Sequence, residues 1–400
     1  MSHERPRIAI LADWWWPDIV GGAELSGRAC ALELARSAEV AVFVPAAVEK
    51  TYQDGPLKVY AVRRAFARRT HAESFVRHGL EFVTSWLLPP VTWRLARSLR
   101  AFDPDVTIAA NISRTGPWLL RRVKASRSGF VRIFHDLSDT CWRRSRLKSG
   151  RICATVCGEC RVKTQIMRSA TPPGAVSVCV SEFVQSELVQ AGLVTPANSI
   201  VAYPVIGTEV ATSPPSGSTD ADLVLGYIGR LDPVKGIESA IRTAAAYRRA
   251  AGRSVSMVIA GEGQPRYVRR LAALAEAESL TVDFTGHLDV DTFCARVDAV
   301  LIPATWMEPF GRVAIEVGSR HRPMLVSSVG GLPEAAAVSG GRYAFANFQD
   351  PLGAAQVLAR LLEGGTTAAP VTVLATIPSL AQGIVTAAQQ VLDGRAEPVL

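Results

Sequence analysis

The chain has 400 residues, of which 48% are apolar, and a formal net charge of +8. A chain of this length usually forms more than one core, so we expect two domains. Seven cysteines in so long a chain argue against a disulfide framework, which is a device of small secreted domains. The most apolar stretch, residues 82–93, is too short and too interrupted by proline to cross a bilayer, and the termini carry no leader pattern. These features predict a cytoplasmic protein.

Positive charge is concentrated in the first half of the chain. Residues 1–205 hold 28 Lys or Arg against 17 Asp or Glu, whereas residues 206–400 hold 16 against 19. A one-sided field of this kind attracts an anionic partner such as a membrane surface or a phosphorylated acceptor. Solubility alone is the alternative explanation. We expect no nucleic-acid partner, because the sequence has no recognisable nucleic-acid module.

The first half begins with a predicted strand, helix and second strand. An apolar run over residues 8–12 precedes a loop with Asp13 and three consecutive tryptophans, and a helical pattern over 23–38 and a short buried strand over 40–44 follow. Further strands are predicted at 106–110, 131–134, 176–180 and 200–203, between helical segments such as 182–191. This alternation predicts a parallel sheet with helices on both faces.

Residues 206–222 are rich in Pro, Ser, Gly and Thr and are predicted to link two domains, residues 1–205 and 223–377. The second domain repeats the alternation, with strands predicted at 223–228, 255–260, 282–284, 299–302 and 324–327. A helix over 380–392 could pack on either domain, and we expect residues 378–400 to pack on the first. The predicted fold class is α/β, with two Rossmann-like domains facing each other across a cleft at the carboxyl ends of their strands.

Two carboxylates, Glu308 and Glu316, follow the predicted strand at 299–302, with seven residues between them. The segment between them enters a helix, whose free backbone N–H groups attract phosphate. Carboxylates beside a diphosphate would bind hydroxyl groups, of a transferred sugar in one case and of a ribose in the other. Paired acids would also suit glycoside hydrolysis, but that reaction needs no phosphate cradle.

Two cations, Arg230 and Lys235, lie in one loop directly after the predicted strand at 223–228. Arginine can bind a diphosphate with two parallel hydrogen bonds and lysine adds a point charge, so the loop could stabilise a leaving diphosphate in place of a metal. A solvated loop with incidental cations is the alternative. Glycines at other strand ends are common turn formers and weak signals alone; they are Gly261, Gly263, Gly286, Gly330 and Gly331.

In order and spacing, these motifs resemble those of family 4 of the retaining glycosyltransferases, which have the GT-B fold. The matching residues are Gly21-Gly22-Ala23-Glu24, Gly229-Arg230, Lys235-Gly236, Gly261-Glu262-Gly263, residues 308–316 and Gly330-Gly331-Leu332-Pro333-Glu334. The resemblance implies that Arg230 and Lys235 bind the donor diphosphate. It implies that Glu308 binds hydroxyls of the donor sugar and that Glu316 binds the ribose.

The resemblance also implies further donor contacts. These would come from the backbone of Phe310 and Gly311 and from the glycine-rich segments, which are Gly21, Gly22, Gly229, Gly261, Glu262 and Gly263. His135 follows the predicted strand at 131–134, where the family has a histidine near the donor sugar. Asp13 and Asn111, at the ends of two other strands, are candidates for the acceptor side.

Four cysteines are grouped in the first half, at Cys141, Cys153, Cys157 and Cys160. Four thiolates could form a tetrahedral structural zinc site, and some family 4 enzymes are similar in having a cysteine-rich insertion at this point. The alternative is that reduced thiols pack a loop. No cofactor is expected to take part in catalysis.

Arginines flank the apolar run that ends at Trp93, among them Arg94, Arg97 and Arg100. Cations combined with aromatic side chains could contact an anionic membrane peripherally, which would suit a lipid-linked acceptor. A solvated basic face over a buried helix is the alternative.

The sequence therefore predicts a metal-independent, retaining hexosyltransferase that uses a nucleotide-sugar donor, UDP-linked rather than GDP-linked, and a lipid-linked glycan or polysaccharide precursor as acceptor. A small-molecule acceptor, resembling an aminoglycoside, is one alternative, and a nucleotide-sugar epimerase on the same fold is another. A nicotinamide dehydrogenase is disfavoured, because no G-x-G-x-x-G follows the first strand. A phosphorylase would need a cofactor-bearing lysine that we cannot assign. A binding module that uses only zinc and a basic patch would leave Glu308 and Lys235 without a role.

Overall fold

The structure, a computed structural model, describes residues 5–18, 22–63, 90–112, 115–144, 146–148, 151–153, 155–204, 222–364 and 377–394. The chain forms two compact units, residues 1–206 with 377–400 and residues 207–376. The predicted linker, residues 206–222, lies outside the described residues except for its last residue, Asp222.

The first unit contains an eight-stranded sheet with helices on its faces. The strands of this sheet are β1 (Arg7–Ala12), β2 (Glu39–Ala46), β3 (Lys50–Asp54), β4 (Leu57–Arg63), β5 (Val106–Asn111), β6 (Gly129–Phe134), β9 (Val176–Cys179) and β10 (Ser199–Val201). Two short strands, β7 (Leu147–Lys148) and β8 (Arg151–Ile152), form a separate antiparallel ladder. The helices of the first unit are α1 (Gly22–Leu34), α2 (Pro90–Phe102), α3 (Pro117–Lys124), α4 (Gly158–Ala170) and α5 (Glu182–Gln190). The sheet order is β10-β9-β6-β5-β1-β2-β4-β3, and only β3 runs antiparallel to its neighbour.

The second unit contains a six-stranded, fully parallel sheet. Its strands are β11 (Leu223–Ile228), β12 (Val255–Ala260), β13 (Thr281–Gly286), β14 (Ala299–Ile302), β15 (Met324–Val326) and β16 (Tyr343–Phe345), in the order β13-β12-β11-β14-β15-β16. Its helices are α6 (Ile237–Ala251), α7 (Pro265–Ala277), α8 (Val290–Ala295), α9 (Arg312–Gly318), α10 (Leu332–Val338) and α11 (Pro351–Leu362).

Helices cover both faces of the second sheet, as the alternation predicts. Leu225 and Met257 point into a core shared with Ile241 of α6 and Leu358 of α11. On the opposite face, a Cβ at Gly226 would lie 2.6 Å from the ring of Phe293 in α8. Burying both faces of a parallel sheet explains why its strands have continuous apolar sequences.

The last helix of the chain, α12 (Leu380–Leu392), packs on the sheet of the first unit. Ser379 and Gln382 cap its start with reciprocal hydrogen bonds. Glycine allows close approach at two points, since a Cβ at Gly383 would lie 2.4 Å from Cβ of Ala202 and one at Gly129 would lie 1.8 Å from Val391. Helix α12 is therefore part of the first unit.

Candidate active site

The order of strands in the second unit marks where a ligand can bind. β11 lies between β12 and β14, so the connections that leave β11 and β14 run in opposite directions across the sheet. Open α/β sheets bind ligands at such a switch point, outside the carboxyl ends of the two strands. The loops that follow β11 and β14 are residues 229–236 and 303–311, which contain two of the sequence motifs.

Lys235 and Glu308, predicted from separate motifs, are in direct contact. Lys235 Nζ lies 2.7 Å from Glu308 Oε2, and both side chains are half-buried, at 24% and 16% exposed. Trp306 Nε1 donates a hydrogen bond to the same oxygen at 2.9 Å. The ammonium of Lys235 also lies 5.2 Å from the centre of the Trp306 ring, which is a cation–π distance. No sequence motif identified Trp306, although it stands only two residues before Glu308.

Backbone contacts hold the two loops together. The N–H and the hydroxyl of Thr305 both donate to the carbonyl of Val234, each at 3.0 Å. Gly236 has a φ of 73°, and a Cβ there would lie 1.9 Å from the carbonyl oxygen of Pro303. Only glycine fits this conformation without pushing the loops apart. The glycine after Lys235 thus sets the distance between Lys235 and Glu308.

The pair Gly330-Gly331 holds the backbone of Glu308. Gly331 N–H donates to the carbonyl of Glu308 at 2.7 Å. A Cβ at Gly330, whose φ is 60°, would lie 2.3 Å from the same carbonyl oxygen. Glycines that were weak signals in the sequence therefore fix the position of a candidate catalytic carboxylate.

Arg230 is a solvent-exposed cation at the end of β11. Its side chain is 59% exposed, and its guanidinium lies 3.7 Å from the Asp232 carboxylate. The hydroxyl of Tyr227 donates to the backbone carbonyl of Arg230 at 2.9 Å. Burial raises the pKa of Tyr227, and the nearby Glu308 carboxylate raises it further. Tyr227 therefore stays protonated, as a hydrogen-bond donor that supports this loop.

The glycine-rich segments at the ends of β11 and β12 pack backbone against backbone. A Cβ at Gly261 would lie 1.9 Å from the carbonyl oxygen of Gly229, and one at Gly263 would lie 2.3 Å from that of Leu231. Leu231 N–H donates to the carbonyl of Glu262 at 2.8 Å, while the side chain of Glu262 is exposed. These residues, predicted to contact the donor, bring two loops together at the same edge of the sheet as Lys235.

Glu316 lies in α9 and is paired with Arg312, whose Nη2 lies 2.8 Å from Glu316 Oε1. Both side chains are half-buried. Phe310 is buried, and Gly311 has a φ of 100° at the residue before the helix. Glu308 and Glu316 therefore each have a cationic partner within the chain.

His135 follows β6 in the first unit. Its Nε2 is shielded from solvent and has no hydrogen-bond partner among the described residues. Burial lowers the pKa of His135 to about 4; Asp136 opposes this shift and Arg132 adds to it. The imidazole is therefore neutral at neutral pH and can donate or accept a hydrogen bond. Arg132 itself forms a buried ion pair with Asp139.

Asp13 and Asn111, two further candidates of the first unit, follow or end the neighbouring strands β1 and β5, which form its switch point. Asp13 is buried after β1 and accepts a hydrogen bond from the Thr115 hydroxyl, so it links the loops that follow the two strands. Asn111 ends β5 and pairs with Ala12; its side chain lies outside the described residues. Gly22 begins α1, whereas Gly21 lies outside the described residues.

The zinc site suggested for Cys141, Cys153, Cys157 and Cys160 stays a prediction. In the part of the chain that the structure describes, no three or more His, Cys, Asp or Glu side chains are arranged as metal ligands. Cys157 immediately precedes α4 and its thiol is hydrogen-bonded by Cys160, which lowers the pKa of Cys157. All seven cysteines of the chain are free thiols.

Comparison with known proteins gives matches over parts of the chain. Residues 211–370 match the family model for Glycosyl transferases group 1. An uncharacterized 42.6 kDa protein in the cps region of Klebsiella pneumoniae is 27% identical over 176 residues, which span 44% of each chain. The glycogen synthase of Mycobacterium tuberculosis is 36% identical over 112 residues, which span 27% of each chain. These curated relatives are thus matched over less than half of their own length.

A solved structure matches nearly the whole chain. It is that of Anabaena HepE in complex with UDP and glucose, with a TM-score of 0.65, 19% identity, and coverage of 99% of this chain and 100% of that chain. The predicted fold class is confirmed: the chain is α/β, with two Rossmann-like units and the GT-B fold.

None of the described helices is long and apolar enough to cross a membrane.

Proposed function

We propose that this chain is a retaining glycosyltransferase that moves a hexose from a nucleoside diphosphate to an acceptor hydroxyl without a metal ion. The observation that carries the proposal is the contact between Lys235 and Glu308 at the switch point of the second unit. The contact joins a cation suited to a diphosphate and a carboxylate suited to sugar hydroxyls. It lies within residues 211–370, the segment that matches the glycosyl transferase family model.

The two cations of the loop after β11 would stabilise the negative charge of the leaving diphosphate. As the bond between sugar and diphosphate breaks, negative charge develops on the diphosphate, and Arg230 and Lys235 would stabilise it. Removing one preorganised donor of this kind typically costs about 3 kcal/mol of the activation free energy. Because the cations are part of the protein, the proposed reaction needs no metal at this point.

The carboxylates would bind hydroxyl groups of the donor. Glu308 would accept hydrogen bonds from the sugar, and Glu316 from the ribose. Backbone groups of Phe310 and Gly311, and the glycine-rich segments of both units, would lie along the donor. Donor binding would change these contacts, since Lys235 and Arg312 are paired with the two carboxylates. Lys235 would turn from Glu308 towards the diphosphate.

The neutral imidazole of His135 would contribute from the first unit. Its shielded Nε2 could accept or donate one hydrogen bond to the substrate without adding a charge. Asp13 and Asn111, at the switch point of the same unit, would lie on the acceptor side.

UDP is proposed as the nucleotide, since the similar structure of Anabaena HepE is a complex with UDP and glucose. A lipid-linked glycan or polysaccharide precursor is proposed as the acceptor, and its support is a surface of the first unit formed by α2 and α3. Trp93 is 60% exposed with the Arg122 guanidinium 5.3 Å from its ring centre, and Trp118 is 37% exposed with Arg121 at 4.9 Å. Neither helix contains an acidic residue.

An aromatic and cationic surface of this composition suits the headgroup region of an anionic membrane, where tryptophan rings and arginine chains are both partly solvated. We propose that α2 and α3 contact the membrane peripherally. The arginines at residues 64, 68 and 69 lie outside the described residues.

The experiment that tests the function is a panel of UDP- and GDP-sugars measured by thermal shift. A ligand that binds only the folded chain raises its melting temperature. We expect the largest shift with a UDP-hexose, and transfer of the hexose to a lipid-linked or polysaccharide acceptor. A shift accompanied by conversion of the donor sugar without any acceptor would favour an epimerase. No shift with any sugar nucleotide would contradict the proposal.

A further inference from the structure

We propose that Trp306 is a positioning residue that holds Glu308 for the donor sugar when Lys235 turns to the diphosphate. This inference rests on the proposed function. It concerns a residue that no sequence motif identified, and it follows from three contacts around one carboxylate oxygen.

Glu308 Oε2 accepts two hydrogen bonds, from Lys235 Nζ at 2.7 Å and from Trp306 Nε1 at 2.9 Å. None of the described residues donates to the other oxygen, Oε1. The carboxylate is thus anchored through one oxygen, and the second is available to accept a hydrogen bond from a hydroxyl. A carboxylate can accept several hydrogen bonds, so anchoring does not exhaust it.

Binding of the sugar nucleotide would affect the two hydrogen bonds to Glu308 differently. Lys235 carries a charge that a diphosphate would attract, so this contact would weaken when the donor binds. The indole N–H of Trp306 is neutral and has no such competing partner. Glu308 is only 16% exposed, and a shielded carboxylate that loses its donors pays a desolvation penalty. Trp306 would therefore keep the carboxylate in place during the exchange.

The position of Trp306 is itself fixed. The preceding residue, Thr305, is bonded to Val234 by both its N–H and its hydroxyl. The indole ring in turn lies beside the ammonium of Lys235, at 5.2 Å from its centre. One side chain thus makes two separable contacts, an N–H that serves Glu308 and a ring face that serves Lys235.

Substitution can separate these contacts. Trp306→Phe removes the N–H and keeps an aromatic face, whereas Trp306→Ala removes both. The probes are UDP-glucose and UDP, titrated calorimetrically. We expect Trp306→Phe to weaken UDP-glucose binding about tenfold, as is typical when a hydrogen bond to a charged group is lost, and to change UDP binding less than twofold. We expect Trp306→Ala to weaken both.

Two further variants keep the test specific. In a Glu308→Ala background, Trp306→Phe should produce no further loss of UDP-glucose binding, because the carboxylate it positions is absent. Trp142→Phe is the matched control, since it removes an indole N–H that donates to the Glu159 carbonyl at 2.9 Å in the other unit. It should change neither affinity.

An equal loss of UDP and UDP-glucose binding in Trp306→Phe would mean a merely structural role, and it would overturn the inference. Unchanged UDP-glucose binding would overturn it as well. If the wild type binds neither probe, the proposed function itself is contradicted. If Trp306→Phe folds poorly, Trp306→His takes its place. A loss of UDP-glucose binding by Trp306→His that is as large in the Glu308→Ala background as in the wild type would overturn the inference.

Discussion

The ammonium of Lys235 lies 2.7 Å from the carboxylate of Glu308, although 73 positions separate the two residues in the chain. The contact forms because β11 and β14 are neighbours in the sheet and Thr305 joins the loops that follow them by two hydrogen bonds to the carbonyl of Val234. Each residue neutralises the other in the absence of substrate. A diphosphate that draws Lys235 away would leave Glu308 held by Trp306 in a position to bind a sugar.

Replacement of Lys235 should impair the reaction far more than the fold. We expect Lys235→Ala to lower kcat for sugar transfer by about 100-fold or more, because one preorganised cation is lost from the leaving group. The melting temperature should fall by only a few degrees, because Trp306 still donates a hydrogen bond to the Glu308 carboxylate when Lys235 is removed. Steady-state kinetics and thermal melts of the same samples check this prediction.

Arg249→Ala is the control for Lys235→Ala. It removes another cation of the second unit, 2.9 Å from Glu278, at a site unrelated to the switch point. It should leave kcat unchanged. A folded Lys235→Ala protein with the turnover of the wild type would contradict the role given to Lys235.

The spacing of the two site loops depends on Gly236. Gly236→Ala and Gly252→Ala both place a side chain at positive φ, 73° and 60°, but a Cβ at Gly252 would meet no atom within 4 Å. We expect Gly252→Ala to cost about 1 kcal/mol of unfolding free energy and Gly236→Ala several times more, because only the latter forces the loops apart. Urea denaturation measures both, and equal losses would refute the close-packing argument.

His135 should make the first unit less stable in mild acid. Burial lowers the pKa of His135 to about 4, so this imidazole stays largely unprotonated in the folded chain between about pH 4 and 6.5. In the unfolded chain His135 has an ordinary pKa near 6.5 and binds a proton over the same range. Stability is therefore unaffected above about pH 6.5 and is lost as the pH falls from there towards 4. At pH 5 the loss should be about 2 kcal/mol.

His135→Gln removes this proton linkage. Comparison of urea denaturation at pH 7.5 and pH 5 should give a smaller loss in the variant than in the wild type. Identical losses in the two proteins would mean that His135 titrates normally in the folded chain.

The α2–α3 surface should bind anionic lipid. We expect the wild type to co-sediment with vesicles containing phosphatidylglycerol and not with vesicles of phosphatidylcholine alone. Arg121→Glu with Arg122→Glu should weaken binding at least tenfold, since each arginine near such a surface contributes on the order of 1 kcal/mol. Sedimentation assays at fixed ionic strength check this.

The matched control reverses the charge of two exposed arginines of α7, with Arg266→Glu and Arg269→Glu. It produces the same change in net charge on the other unit. Equal loss of lipid binding in both double variants would show that total charge, rather than the α2–α3 surface, determines binding.

Local sequence pattern predicts the central strands well, because strands buried on both faces must be continuously apolar. Those at 223–228, 255–260 and 299–302 begin and end as predicted. The edge of the first sheet was missed: β3 and β4 carry Lys50, Asp54 and Lys58 among their residues, and their pairing makes them strands. Pairing between strands cannot be recognised from either segment alone.

The same distinction applies to the site. Lys235 and Glu308 stand in recognisable motifs, so sequence alone predicts them as candidates. The shared hydrogen bond of Trp306 depends on the loop conformation, and the shielding of His135 depends on its neighbours in the fold. Likewise, the sequence suggests a four-cysteine metal site by spacing alone, and this site stays a prediction.

We propose above that the loop after β11 holds a nucleoside diphosphate through its cations, Arg230 and Lys235. Calorimetric titration of UDP into the wild type, Arg230→Ala and Lys235→Ala tests it most directly, with uridine as the ligand that lacks phosphates. We expect each substitution to weaken UDP binding at least tenfold and to leave the weak binding of uridine unchanged. UDP affinity equal to that of the wild type in both variants would contradict it.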